Sequence, residues 1–196
     1  MQATIEKYPI EKLRNIPKPK KYEYPPYSKI YMELLSDDGR VLYHLRENFK
    51  KIKDFIYTLP EEKLRQRYTE DNWSIKELLT HIINDEKIFA CRAQRCATFD
   101  KTTLDDFEQD DYSLCLDAGE RSLDSIFEEY ATVRHSTIVM FNGFPDEALM
   151  RSGVAIAGIS NRTVRAAAYH IAGHELWHMK ILKERCLNIP TENGIL

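Results

Sequence analysis

From Val41 onward, apolar residues recur every three or four positions. Val41, Leu42, Leu45, Phe49, Ile52 and Ile56 mark one helical face. Asp37 or Asp38 is available to cap that helix, and Pro60 to end it. A second helix is predicted from Ser74 to about Ala97. Ser74 and Glu77 form a capping box, and Trp73 with Leu78 makes the hydrophobic staple around it. A third spans about Gly119 to Phe141, with Leu123, Ile126, Phe127, Tyr130, Val133 and Ile138 on its apolar side and Pro145 beyond it. The last begins at Thr163, a good N-cap residue, runs to about Leu187 and is closed by Pro190. Little in the chain alternates with period two. Four long helices, each with one apolar face, predict an all-α four-helix bundle.

Residues 1–36 follow a different pattern. They hold Pro9, Pro17, Pro19, Pro25 and Pro26, a density that forbids a long helix. A short helical piece from about Pro26 to Leu35 is compatible with it. Tyr22, Tyr24, Tyr27 and Tyr31 predict that this extension packs across the bundle formed by residues 37–196, as part of one domain. The acidic stretch FDKTTLDDFEQDDYS reads as a solvated connection or as a rim over a site, the first being the simpler. SGVAIAGIS reads as extended chain or loop.

Composition narrows the function classes. The net charge is −3, with no basic stripe and no helix-turn-helix signature, which argues against nucleic acid as the main partner. The N-terminus is charged and lacks the apolar core of a signal peptide, and no apolar run approaches a membrane span. A soluble cytoplasmic protein is expected. Cys91, Cys96, Cys115 and Cys186 form no Cys-x-x-Cys pair and read as reduced, mostly buried thiols.

The histidines are more informative. His170, His174 and His178 lie at i, i+4 and i+8, on one stripe of the last helix. Two histidines four apart can grip one metal ion from a single helix, although such a pair also arises by chance on a solvated face. A third ligand must come from a facing helix, and His81, midway along the second, is the best placed. His170 could replace His178, since its spacing to His174 is the same. Glu86 and Glu175 both project into apolar arcs. Each either orients a ligand histidine or pairs with an arginine or tyrosine as a structural tie, Arg92 and Arg134 being candidate partners.

Two segments carry a family resemblance. NWSIKELLTHIINDEKIFACRAQR looks like Trp-Ser-x-x-(Glu/Asp)-x-x-x-His, and AAAYHIAGHELWHMKILKER looks like Gly-His-Glu-x-x-His. With PPYSKIYMELL and FEQDDYS, they make the chain resemble a long-chain branch of the DinB (DinB/YfiT-like) superfamily, bacterial four-helix-bundle metalloproteins. The resemblance implies a divalent ion, zinc or nickel foremost, held by His81, His174 and His178, with His170 outside the usual ligand set. Trp177 stands where many members have a histidine. Three protein ligands leave a coordination position open. The resemblance implies a small-molecule substrate and, first, a metal-dependent transferase using a low-molecular-weight thiol. The alternatives are a hydrolase acting through metal-bound hydroxide and a non-catalytic metal-binding bundle. Asp85, one turn after His81, is the candidate base; its plainer reading is a solvated helix-edge carboxylate. A homodimer is expected by analogy with similar bundles.

Overall fold

The computed structural model describes residues 12–67, 73–100, 118–153, 162–191 and 195–196. Four long helices carry it: α1 (Val41–Ile56), α2 (Ile75–Ala97), α3 (Leu123–Gly143) and α4 (Val164–Ile181). Among the described residues there is no strand, only three isolated bridges. The expected all-α four-helix bundle is what the chain forms. The helices α1 and α2 each pack against both α3 and α4. Hence α1 lies diagonally opposite α2, and α3 diagonally opposite α4.

The helix boundaries follow local chemistry. On α2 the Ser74 hydroxyl accepts from Glu77 N–H while the Glu77 carboxylate accepts from Ser74 N–H at 2.7 Å, the reciprocal box read from the sequence. Thr163 caps α4 through Ala166 N–H. Three boundaries differ from the expectation. The first helix starts at Val41 with Arg40 as its N-cap, and Asp38 instead braces the preceding turn by accepting from Arg40 N–H and pairing with His44. That helix ends at Ile56, and Pro60 opens a separate short helix, Glu61–Arg65. The third helix starts at Leu123 because Ser122 caps it, leaving Ala118–Glu120 as a 3-10 turn. Beyond Ile181 the chain continues as a wider π-type turn, Leu182–Cys186. Most of FDKTTLDDFEQDDYS and of SGVAIAGIS, and Cys115, lie outside the described residues. Cys91 is exposed, against the expectation of mostly buried thiols, while Cys96 is buried.

The core forms two apolar clusters. One gathers Leu42, Leu45, Phe89, Ile138, Phe141, Tyr169 and Ala172. The other gathers Phe49, Ile52, Leu79, Ile83, Phe127, Ala131 and Met179. On each helix a polar residue falls between them: Asn48, Glu86, Arg134 and Glu175, all buried. The Arg134 guanidinium, fully buried, donates to both Glu86 oxygens (Nε at 3.0 Å to Oε1, Nη2 at 2.8 Å to Oε2) and to Glu175 Oε2 at 2.5 Å. It also donates to the Leu45 carbonyl. Asn48 and the Tyr130 hydroxyl complete the Glu175 carboxylate at 2.9 and 2.5 Å. Of the two readings for Glu86 and Glu175, this is the structural tie, with Arg134 as the shared partner. Every charged group in it is paired and hydrogen-bonded, as burial requires.

The described part of the extension, residues 12–36, starts at the end of α3, where Arg14 N–H donates to Asn142, and then lies along α4. Glu23 is buried against Arg165 and takes the Thr163 hydroxyl at 3.0 Å. Arg162 Nη2 donates to the Tyr27 hydroxyl at 2.8 Å and to Ser28 Oγ at 2.9 Å. The Tyr169 hydroxyl donates to the Ile16 carbonyl at 2.8 Å. A helical turn, Lys29–Met32, then crosses α4 at Gly173.

Candidate metal centre

His81 of α2 meets His174 and His178 of α4, whereas Phe89, two turns on, meets His170, so the two helices run antiparallel. The three Nε2 atoms converge. They are 3.3 Å apart for His81 and His174, 3.1 Å for His81 and His178, and 2.9 Å for His174 and His178. Three imidazole nitrogens so close, with lone pairs facing one another, repel unless a proton or a cation lies between them. Tetrahedral coordination at the zinc–nitrogen bond length separates ligand nitrogens by about 3.3 Å. The trio is therefore a group that could hold a divalent metal ion. His81 and His174 are buried, and His178 is half-buried. Burial pushes the His81 imidazole down to about 4, and burial first, then the neighbouring histidines, hold His174 and His178 well below the ordinary imidazole range. All three are neutral at physiological pH, the form a metal requires.

His170 shares the stripe but not the convergence. Its ring lies tilted against Phe89 with centroids 3.9 Å apart, and neither ring nitrogen has a hydrogen-bond partner among the described residues. Its Nε2 is 3.6 Å from Asp85 Oδ2. Asp85 corrects an expectation. It is not a solvated helix-edge carboxylate but is buried, with the same Oδ2 3.2 Å from His174 Nδ1. Burial pushes its carboxyl up to about 8. The sequence pattern placed Asp85 at the edge of α2, and α4, which brings His170 and His174 to the same Asp85 oxygen, accounts for the difference.

Each histidine of the trio touches an aromatic ring from a different segment. Trp73 lies 4.7 Å from His81, Tyr31 lies 5.4 Å from His174, and Trp177 lies 4.9 Å from His178, centroid to centroid. Tyr31 also meets His170 and Trp177 edge-on. Its hydroxyl is pushed up to about 12 by burial and by Asp85, so it stays protonated. Sequence reasoning placed the extension on the bundle but did not single out Tyr31. The available signal was Gly173, a helix-interior glycine directly before His174. A Cβ there would lie 2.3 Å from the Tyr31 carbonyl oxygen, so only glycine admits that approach.

Comparisons with known proteins agree with this architecture. The solved structure of YfiT from Bacillus subtilis, described as a probable metal-dependent hydrolase with an unusual four-helix bundle topology, is similar in fold. It superposes with a TM-score of 0.66 at 13% identity, over 74% of this chain and 83% of that one. No curated protein matches the sequence. No helix among the described residues is long and apolar enough to cross a membrane. The family model of the DinB superfamily matches residues 44–182, which take in α2, α3, α4 and all three converging histidines. On that match the chain belongs to the DinB superfamily.

Proposed function

We propose that His81, His174 and His178 bind a divalent ion, zinc or nickel, and that the protein is a metal-dependent hydrolase of a small molecule. The observation carrying this reading is the convergence of three buried or half-buried Nε2 atoms within 3.3 Å from two antiparallel helices. Three protein ligands leave a position open, the pattern of a catalytic site. A divalent ion there supplies Lewis acidity, lowering the pKa of water and polarising an acyl or phosphoryl oxygen. The chain's own part is to hold three neutral imidazoles at fixed separation and to wall the site with Trp73, Tyr31 and Trp177. The likeness to YfiT, itself described as a probable metal-dependent hydrolase, supports hydrolysis. Transfer to a low-molecular-weight thiol is the expectation drawn from the resemblance, and no residue of the site speaks for it.

Metal analysis of the purified protein beside His81→Ala tests the site. Stoichiometric metal in the wild type and a loss of at least tenfold in affinity in the variant are expected. Equal metal content in both would sink the three-histidine site. A panel of carboxylic and phosphoric esters, assayed with and without added thiol, tests the chemistry. Turnover is expected without thiol; turnover only in its presence overturns the hydrolase reading in favour of the transferase.

A further inference from the structure

We propose that Asp85 is the positioning residue of the metal centre: it fixes His174 as an Nε2 ligand by accepting from Nδ1, and so does not act on substrate. The proposal rests on the metal reading above and adds to it a residue behind the ligands. The two nitrogens of an imidazole lie on opposite sides of the ring. His174 turns Nε2 toward His81 and His178 and Nδ1 toward Asp85 Oδ2, 3.2 Å away. Asp85 thus stands on the far side of the His174 ring from the convergence point. A carboxylate on Nδ1 holds the proton there and leaves the Nε2 lone pair for the ion.

Three further observations separate this from a merely structural carboxylate. Asp85 is 2% exposed, yet neither of its oxygens has an aligned hydrogen bond among the described residues. No arginine or lysine comes within ion-pair distance of it there, Arg162 and Arg92 acting on it only from further off, in contrast to Glu86 and Glu175, which Arg134 holds directly. Its close contacts are two histidines on successive turns of α4, His174 and His170, both reached by the same oxygen. Charged or protonated, such a buried acid contributes no aligned hydrogen bond to the apo fold. It gains a partner when the Nδ1–H of a metal-ligating His174 is presented to it.

The two roles predict opposite effects for Asp85→Leu. A structural carboxylate would take apo-protein stability down with it. A positioning carboxylate leaves the apo protein as stable or more stable, while metal affinity falls. Zinc affinity by competition with a chromophoric chelator, the cobalt(II) absorption spectrum and the apo-protein melting temperature are measured for wild type, Asp85→Leu and Asp85→Asn. We expect a 10- to 100-fold loss of zinc affinity in Asp85→Leu with an apo melting temperature no lower than wild type. Asp85→Asn, whose amide oxygen still accepts from Nδ1, falls between the two and keeps the wild-type cobalt band shape. Wild-type zinc affinity in Asp85→Leu would overturn the proposal and leave the histidine site standing. So would a loss of affinity matched by a fall in apo stability in both variants. A wild type that binds no zinc, with His81→Ala behaving identically, would instead bring down the metal reading itself.

Discussion

A Cβ built on Gly173 would lie 2.3 Å from the Tyr31 carbonyl oxygen and 2.7 Å from its carbon. Alanine is the better helix former by about 1 kcal/mol. The clash is with backbone, which no side-chain rotation relieves, and overpacking of that kind costs about 3 kcal/mol at the upper end of the usual range. The clash wins: Gly173→Ala should lose about 2 kcal/mol in urea unfolding. A more stable variant would mean that Tyr31 does not approach this closely. At this scale the sequence was informative for His174 and His178, whose four-residue spacing fixes a shared face. His81 followed from the family resemblance more than from pattern. Asp85 was misread and Tyr31 was not singled out, for the same physical reason. Each is defined by what packs on it from a distant part of the chain, and helical periodicity carries no record of that.

Glu23 is one of the buried ties that hold the extension as an element. Burial pushes its carboxyl up, but hydrogen bonds from Arg165, Lys20 N–H and Thr163 outweigh this and leave it below the ordinary 4.5. A carboxylate with a depressed folded pKa contributes stability that is present above the unfolded value and lost as pH falls through the folded one. Glu23→Gln should therefore be destabilised by about 1–3 kcal/mol at neutral pH. The gap to wild type should close as pH is lowered below 4.5 in thermal melts. A gap that persists in acid would show that the carboxylate charge is not what ties the strap to α4. Among the elements, α2 and the start of α4 were legible because capping boxes and N-caps are written in adjacent residues. The start of α1 was not, since Asp38 turned its oxygen to Arg40 N–H and ended up outside the helix. The Glu61–Arg65 helix is too short to show a period.

Across the whole molecule, Arg134 joins all four helices through Leu45 and, by way of Glu175, Asn48 on α1, Glu86 on α2, and Glu175 on α4. Glu86 follows Asp85, and Glu175 follows His174, so the tie fixes the rotation of the two helices that present the site. Arg134→Met leaves two carboxylates buried without their cation and should cost about 3–5 kcal/mol. Replacing the set together (Glu86→Leu, Arg134→Met, Glu175→Leu) removes the three charges of this layer at once and should recover most of that loss. Denaturant midpoints of the two variants decide it; equal midpoints would contradict a mutually compensated layer. The bundle itself was legible from four apolar faces. Its diagonal arrangement was not, because an apolar stripe says that a helix packs but not against which neighbour.

The converging histidines are 93 and 97 positions apart in the chain. During synthesis at about 5–20 residues per second, His81 waits roughly 5–20 s before the first of its partners is made. Closing a loop of that length costs about 4 kcal/mol of chain entropy, which the packing of α2 on α4 must supply before any ion can grip both ends. In the proposed site, an ion that needs all three histidines is held only after α4 has docked, so a bound ion would mark a chain made at least as far as His178 and packed across α2 and α4.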